Sequence, residues 1–340
     1  MFNVKDFTFI IPPLWEKDWN GAISKAKGAD RDLLICQAQA LSMLKDINNF
    51  KVTPERIAWL SMWTKAFAAL EGAKAALGIN SQYIFKIIQR VSFEGCLHAE
   101  LIFEPLSNMY RMKQSNKKVI ISKWFESGTY NQIIIRLQAY AAWCFWNDKL
   151  FYEELLDSRT LHGIWDPEPA KQILNDPDML SVHKKIYGPL DIETNKAELK
   201  ESRLKMEEFY REKLKRTEVW LEYPSLVQWK KKIEELRKKP DGPITFFTLF
   251  DESVKSVPKR LCSVDLRFAY ASYMEGSMLI HGSTIDQLMQ IDEKKIFPSF
   301  IGSEETSESS AAQISSTCNK IFVLLYIFRN SVWNLQDNEE

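Results

Sequence analysis

The chain has 340 residues, with 45 Lys or Arg against 45 Asp or Glu, so its formal net charge is zero. No global field therefore steers it toward nucleic acid or an anionic membrane. Hydrophobic residues make up 45% and charged residues 26%, which excludes disorder throughout, and 12 Gly with 13 Pro are too few turn formers for a many-stranded barrel or sandwich. With 11 Trp and 20 Phe to fill a core, the expected fold is an all-α bundle of about eight to ten helices.

Apolar periodicity predicts helices over 33–47, 54–77, 80–104, 129–156, 193–221, 225–239, 260–281 and 308–335. Asn80-Ser81 is a start signal for the third of these. Glu104-Pro105 is its expected end, because a residue before Pro is biased away from the helical region. Trp165-Asp-Pro-Glu-Pro169 followed by Asp176-Pro177 is the strongest punctuation in the chain. The expected organisation is an N-terminal half of the bundle over 1–165 and a Pro-rich connection over 166–192. A charged helical arm over 193–239 follows, and C-terminal helices over 240–340 complete the bundle. The Ser-rich stretch 302–317 reads as a loop leading into the last helix. No repeat of fixed period is present.

The five cysteines, at 36, 96, 144, 262 and 318, are odd in number and scattered, without a Cys-x-x-Cys pair. That pattern fits neither a disulfide framework nor a zinc site, and it points to a reducing compartment. The first residues lack the apolar core of a secretory signal. The longest apolar run, 321–328, is far below the roughly 20 residues of a membrane span. A cytoplasmic protein without a membrane partner is the expectation.

Phosphate-binding glycine loops, a Gly-x-Ser-x-Gly elbow and a His-Glu-x-x-His pair are all absent from the sequence. Repeated Glu-x-x-His, the mark of helical di-iron sites, is missing as well. No metal and no cofactor is expected.

Two helical segments carry polar groups where apolar ones should lie. Arg90, Glu94 and His98 are spaced i, i+4 and i+8, within an arc of about 80° on one helix face. That arc overlaps the one bearing Ile87, Val91, Leu101 and Ile102, so it should be buried, and a buried carboxylate requires a partner. Tyr270, Tyr273, Ser277 and His281 share a face of a second segment, ending at Gly282 where a helix can stop. Glu94 is expected within reach of His281, Tyr273 or Arg90, since each helix carries groups that it cannot bury alone. Arg136, set among Ile133–Ile135 and Leu137, either supplies charge to Glu94 or carries its guanidinium out to water.

The Arg-x-x-Phe-Glu element of 90–94, the Tyr-Pro-Ser-Leu element of 223–226 and the Tyr-x-x-x-Ser-x-x-x-His-Gly-Ser element of 273–283 resemble DUF5677, a family of uncharacterised bacterial helical proteins. The resemblance covers roughly 60–290 and implies a helical fold in which Arg90, Glu94, Ser277 and His281 are the matching positions. It implies no reaction. Helical ribonucleases of the HEPN type separate their Arg and His by four to six residues. Here seven lie between Arg90 and His98, and no His follows Arg329-Asn330.

Two functions remain open at this point. In one, the chain is a binding or scaffold component whose arm over 193–239 engages a protein partner, or which forms a homo-oligomer. In the other, it is a defence- or toxin-type effector, RNase-like or another hydrolase. Arg90, Glu94, Ser277 and His281 would then be catalytic, with Tyr273 and His98 as further candidates. RNA is the weaker choice of partner, because Glu234 and Glu235 dilute the basic run Lys230–Lys232 and Arg237–Lys239.

Overall fold

The computed structural model describes residues 18–44, 52–114, 129–157, 172, 175–188, 192–238, 244–250, 289–292, 295–298 and 304–329. In chain order these form α1 (Trp19–Lys25), α2 (Gly28–Ser42), α3 (Pro54–Gly78), α4 (Gln82–Gln114), α5 (Thr129–Leu156), α6 (Pro177–Tyr187), α7 (Ile192–Leu221) and α8 (Val227–Arg237). A 3-10 turn (Phe247–Leu249), a two-stranded antiparallel hairpin, β1 (Met289–Asp292) with β2 (Lys295–Pro298), and α9 (Glu304–Phe328) complete the described chain. The protein is an all-α multi-helix bundle, and the hairpin is a small exception that periodicity did not signal. The expected helix over 260–281 lies outside the described residues.

Ala142–Lys231 forms one compact unit, and the described residues on either side of it in the chain form the other. The larger unit is organised around α9, which packs against α2, α3 and α4. Its inward face reads Ile314, Cys318, Ile321, Phe322, Leu325 and Phe328, all buried, at the spacing that keeps side chains on one side of a helix. Each large apolar side chain buried there contributes about 1.5–3 kcal/mol. By composition the stretch Glu305–Phe328 is apolar enough to cross a membrane; its inward stripe is the core face of this unit.

Local signals fix the ends of these helices. Thr53 caps α3, its hydroxyl accepting from the Arg56 N–H at 3.4 Å, with Pro54 as the first helical residue. Helix α3 ends in a Schellman arrangement: Asn80 takes a left-handed φ of 51°, the Ser81 N–H reaches the Ala76 carbonyl at 3.1 Å, and the Asn80 N–H reaches Leu77 at 3.2 Å. Gly72, with Ile88 against it, lets α3 and α4 approach closely. Two buried indoles tie the unit together, Trp59 donating to the Leu325 carbonyl at 3.0 Å and Trp63 to the Ala40 carbonyl at 3.2 Å.

Two boundaries differ from expectation. The Ser-rich stretch expected as a loop is helical from Glu304, because its hydroxyls are used inside the bundle: Ser307 is buried, donates to Asn80 Oδ1 and accepts from Gln82 Nε2 at 3.2 Å. Helix α4 does not stop at Pro105 but continues to Gln114.

In the smaller unit, the aromatics of the charged arm dock on the second half of α5. Phe145 stacks on Trp220 with centroids 5.7 Å apart, Trp220 touches Tyr223, and Tyr152 meets Tyr210 at 6.1 Å. Around this apolar stretch Trp146 is buried, while Trp143 and Cys144 are half-buried. His183 is half-buried on α6.

Candidate functional site

The polar row on α4 changes character along the helix. Arg90 and Glu94 are half-buried and Val91 is exposed, so the stripe expected to be buried is only marginal here. The face that is sealed in this stretch is instead the one carrying Phe85, Ser92, Cys96 and Ala99. Half-exposed, Glu94 has no need of the buried counter-charge that its spacing suggested. Among the described residues it forms no ion pair with Arg90 or His98.

At His98 the surroundings change, because two further elements arrive over α4. The first is α5, which runs antiparallel to it and places Tyr140 beside His98 with ring centroids 5.4 Å apart. The second is the segment 245–250, which inserts Phe247 at 5.4 Å and turns Phe246 edge-on to the imidazole at 5.5 Å. This turn is rigid for a local reason. Thr245 and Thr248 bond to each other's backbone N–H at 3.3 and 3.1 Å, their hydroxyls lie 2.9 Å apart, and Lys232 Nζ donates to the Leu249 carbonyl at 2.6 Å. Phe246, Phe247 and Leu249 are thereby driven into the core.

The imidazole of His98 thus sits buried in an aromatic cage. Loss of hydration is the main reason why its pKa falls from 6.5 to about 3, and the nearby Lys65 ammonium lowers it further. Lys65 itself donates to the Tyr140 hydroxyl at 3.2 Å, from an exposed position on α3. The result is a cationic amine, a phenol and a neutral imidazole drawn together from α3, α5 and α4. A histidine in this state is a neutral imidazole near neutral pH, so it offers no imidazolium acid there, and the cage leaves little room for a substrate against it.

Farther along the same α4–α5 contact, Arg136 Nη1 donates to Glu104 Oε2 at 2.7 Å and to the Leu101 carbonyl. Its guanidinium also lies over the Phe250 ring at 5.4 Å. Of the two fates open to it from sequence, neither holds: Arg136 pairs with Glu104 rather than Glu94, and its head is turned inward, 21% exposed.

Of the six expected site residues, α4 therefore brings Arg90, Glu94 and His98 onto one helix, with only His98 sealed. Tyr273, Ser277 and His281 lie outside the described residues. Sequence reasoning missed Lys65, Tyr140, Phe246 and Phe247. The pattern Thr245-Phe-Phe-Thr248 was the available signal, two hydroxyl residues three apart around two aromatics. Among the described residues no three His, Cys, Asp or Glu side chains converge to hold a metal ion.

Three cysteines, Cys36, Cys96 and Cys318, are buried in the larger unit. Burial pushes the Cys36 thiol up to about 11, against the lowering effect of a hydrogen bond with the Ser315 side chain. Cys318 is raised well above its ordinary value, mainly by burial and further by the neighbouring Cys36 and Cys96. Thiols in this state are packing groups, not nucleophiles.

No family profile, no curated protein and no solved structure matches the chain.

Proposed function

We propose that the chain is a binding or scaffold protein that engages a protein partner through its charged helical arm, and that the polar groups of α4 serve helix pairing. The observation that carries this reading is the surface of α7. Three ion pairs run along the helix, Glu201 with Lys205, Glu207 with Arg211 and Glu212 with Arg216, each four residues apart. A face whose charges are mutually paired offers little to a polyanion such as RNA. Between these pairs stand Leu204 and Phe209, each at least half exposed, an arrangement that suits a protein surface with apolar anchors and a polar surround.

The effector-enzyme alternative requires a group that moves a proton; of its candidate histidines, His98 is shut inside its aromatic cage and His281 lies outside the described residues. Affinity capture from cells of the protein's own source, with wild type beside Leu204→Glu and Phe209→Glu, tests the proposal. The expected result is a stoichiometric protein retained by wild type and lost with either variant. Identical capture by all three, or RNA cleavage by the purified chain that Arg90→Ala abolishes, would overturn it.

A further inference from the structure

We propose that α6 is a self-association element, pairing antiparallel with α6 of a second copy of this chain. The helix is short but sharply bounded. The Asp176 carboxylate accepts from the Asp178 and Met179 N–H groups at 2.9 and 3.1 Å, Pro177 is the first helical residue, and Gly188 closes the C-terminus at a φ of 86°. Among the residues between these caps whose burial is described, Leu180 and His183 are half-buried and the rest are exposed.

Met179, Val182 and Ile186 are 51%, 56% and 64% exposed. At 3.6 residues per turn they fall within about 60° of one another, so an exposed apolar stripe runs nearly the length of the helix. Nothing in the helix's own stability calls for three large apolar residues in water at this spacing.

The charges say what covers the stripe. Asp176 and Asp178 lie at the N-terminal end, Lys184 and Lys185 at the C-terminal end, and the segment as a whole is neutral. A membrane-surface helix carries a net basic polar face, which this one lacks. A polyanion would meet two carboxylates beside its two ammonium groups. A second α6 turned end for end satisfies both features at once. About a two-fold axis near Val182, Met179 of one protomer meets Ile186 of its partner, and the acidic end of each lies over the basic end of the other. The helix dipoles then also oppose favourably. A helix pair of this size buries less than the roughly 1,200 Å² of a stable complex, so the association is weak and concentration-dependent. The inference stands apart from the arm's partner and needs no other ligand.

Sedimentation velocity on the full chain over a wide concentration range, at low salt, reads the equilibrium. Wild type should show reversible monomer–dimer exchange. Val182→Glu, which sets two carboxylates face to face on the axis, should raise the dimer Kd at least about tenfold. Asp178→Lys should weaken the dimer, and Asp178→Lys with Lys185→Asp should restore it. That recovery cannot come from the helix itself, because the swapped charges oppose its dipole. Ser181→Glu, on the opposite face, should change nothing, and far-UV circular dichroism should be the same for all five proteins. A monomer at every concentration, a dimer indifferent to Val182→Glu, a charge swap that fails to restore association, or binding to anionic vesicles without self-association would each overturn the proposal.

Discussion

Arg136 donates to the carbonyl of Leu101, the one backbone acceptor in α4 that Pro105 cannot serve. A proline inside a helix removes the N–H that would bond the carbonyl four residues earlier, and its ring crowds that same turn. Here the orphaned carbonyl is four residues before Pro105, and a guanidinium from α5 takes the missing donor's place while also pairing with Glu104. Helix α4 therefore passes through its proline.

That relationship predicts a specific coupling. Arg136→Met should destabilise the protein by about 1–3 kcal/mol, since it leaves a carboxylate and a carbonyl without their donor. Pro105→Ala restores a backbone N–H to Leu101, so in that background the same Arg136→Met change should cost less by about 0.5 kcal/mol or more. Urea unfolding of the four proteins checks it, and purely additive values would show that the guanidinium does not stand in for the proline's missing donor.

A pH dependence follows from His98. Its pKa is lower folded, about 3, than unfolded, about 6.5. The unfolded chain therefore takes up a proton that the folded chain refuses. Stability from this group is complete above about pH 6.5 and falls as pH drops toward about 3, at about 1.4 kcal/mol per pH unit. Below about pH 3 both states are protonated and the loss levels off. Denaturant melts of wild type and His98→Phe between neutral and acid pH should show the steeper decline in wild type only; parallel curves would contradict the burial of a neutral imidazole.

Thiol chemistry gives a third outcome. In a Cys262→Ser background, Cys144, which is half-buried, should react with a disulfide reagent first. Cys36, Cys96 and Cys318 should react only as fast as the protein unfolds, because all three are buried and burial also suppresses the thiolates of Cys36 and Cys318. Rapid labelling of Cys318 in the native protein would show that the α9 core is open.

Much of the architecture was legible from the chain, and the parts that were not have a common cause. The helices 54–77 and 129–156 were readable because long apolar periods and caps such as Thr53-Pro54 act locally. The continuation of α4 past Pro105 was not, because the donor that permits it comes from Arg136 on another helix. Likewise His98 could be placed on the face of Arg90 and Glu94, yet its burial depends on Phe246 and Phe247, about 150 residues away in sequence. The Ser-rich start of α9 misled for the opposite reason. Ser307 looked like a loop residue, and only its tertiary contacts with Asn80 and Gln82 make it a core hydrogen-bonding group.

In the function proposed here the polar row of α4 pairs helices and performs no chemistry. The most direct measurement expresses wild type beside Arg90→Ala, Glu94→Gln and His281→Ala, recording growth of the host and the Tm of each purified protein. Equal growth for all four, with any effect of the substitutions confined to Tm, is the predicted result. Growth arrest by wild type that Arg90→Ala or His281→Ala relieves at unchanged Tm would contradict it.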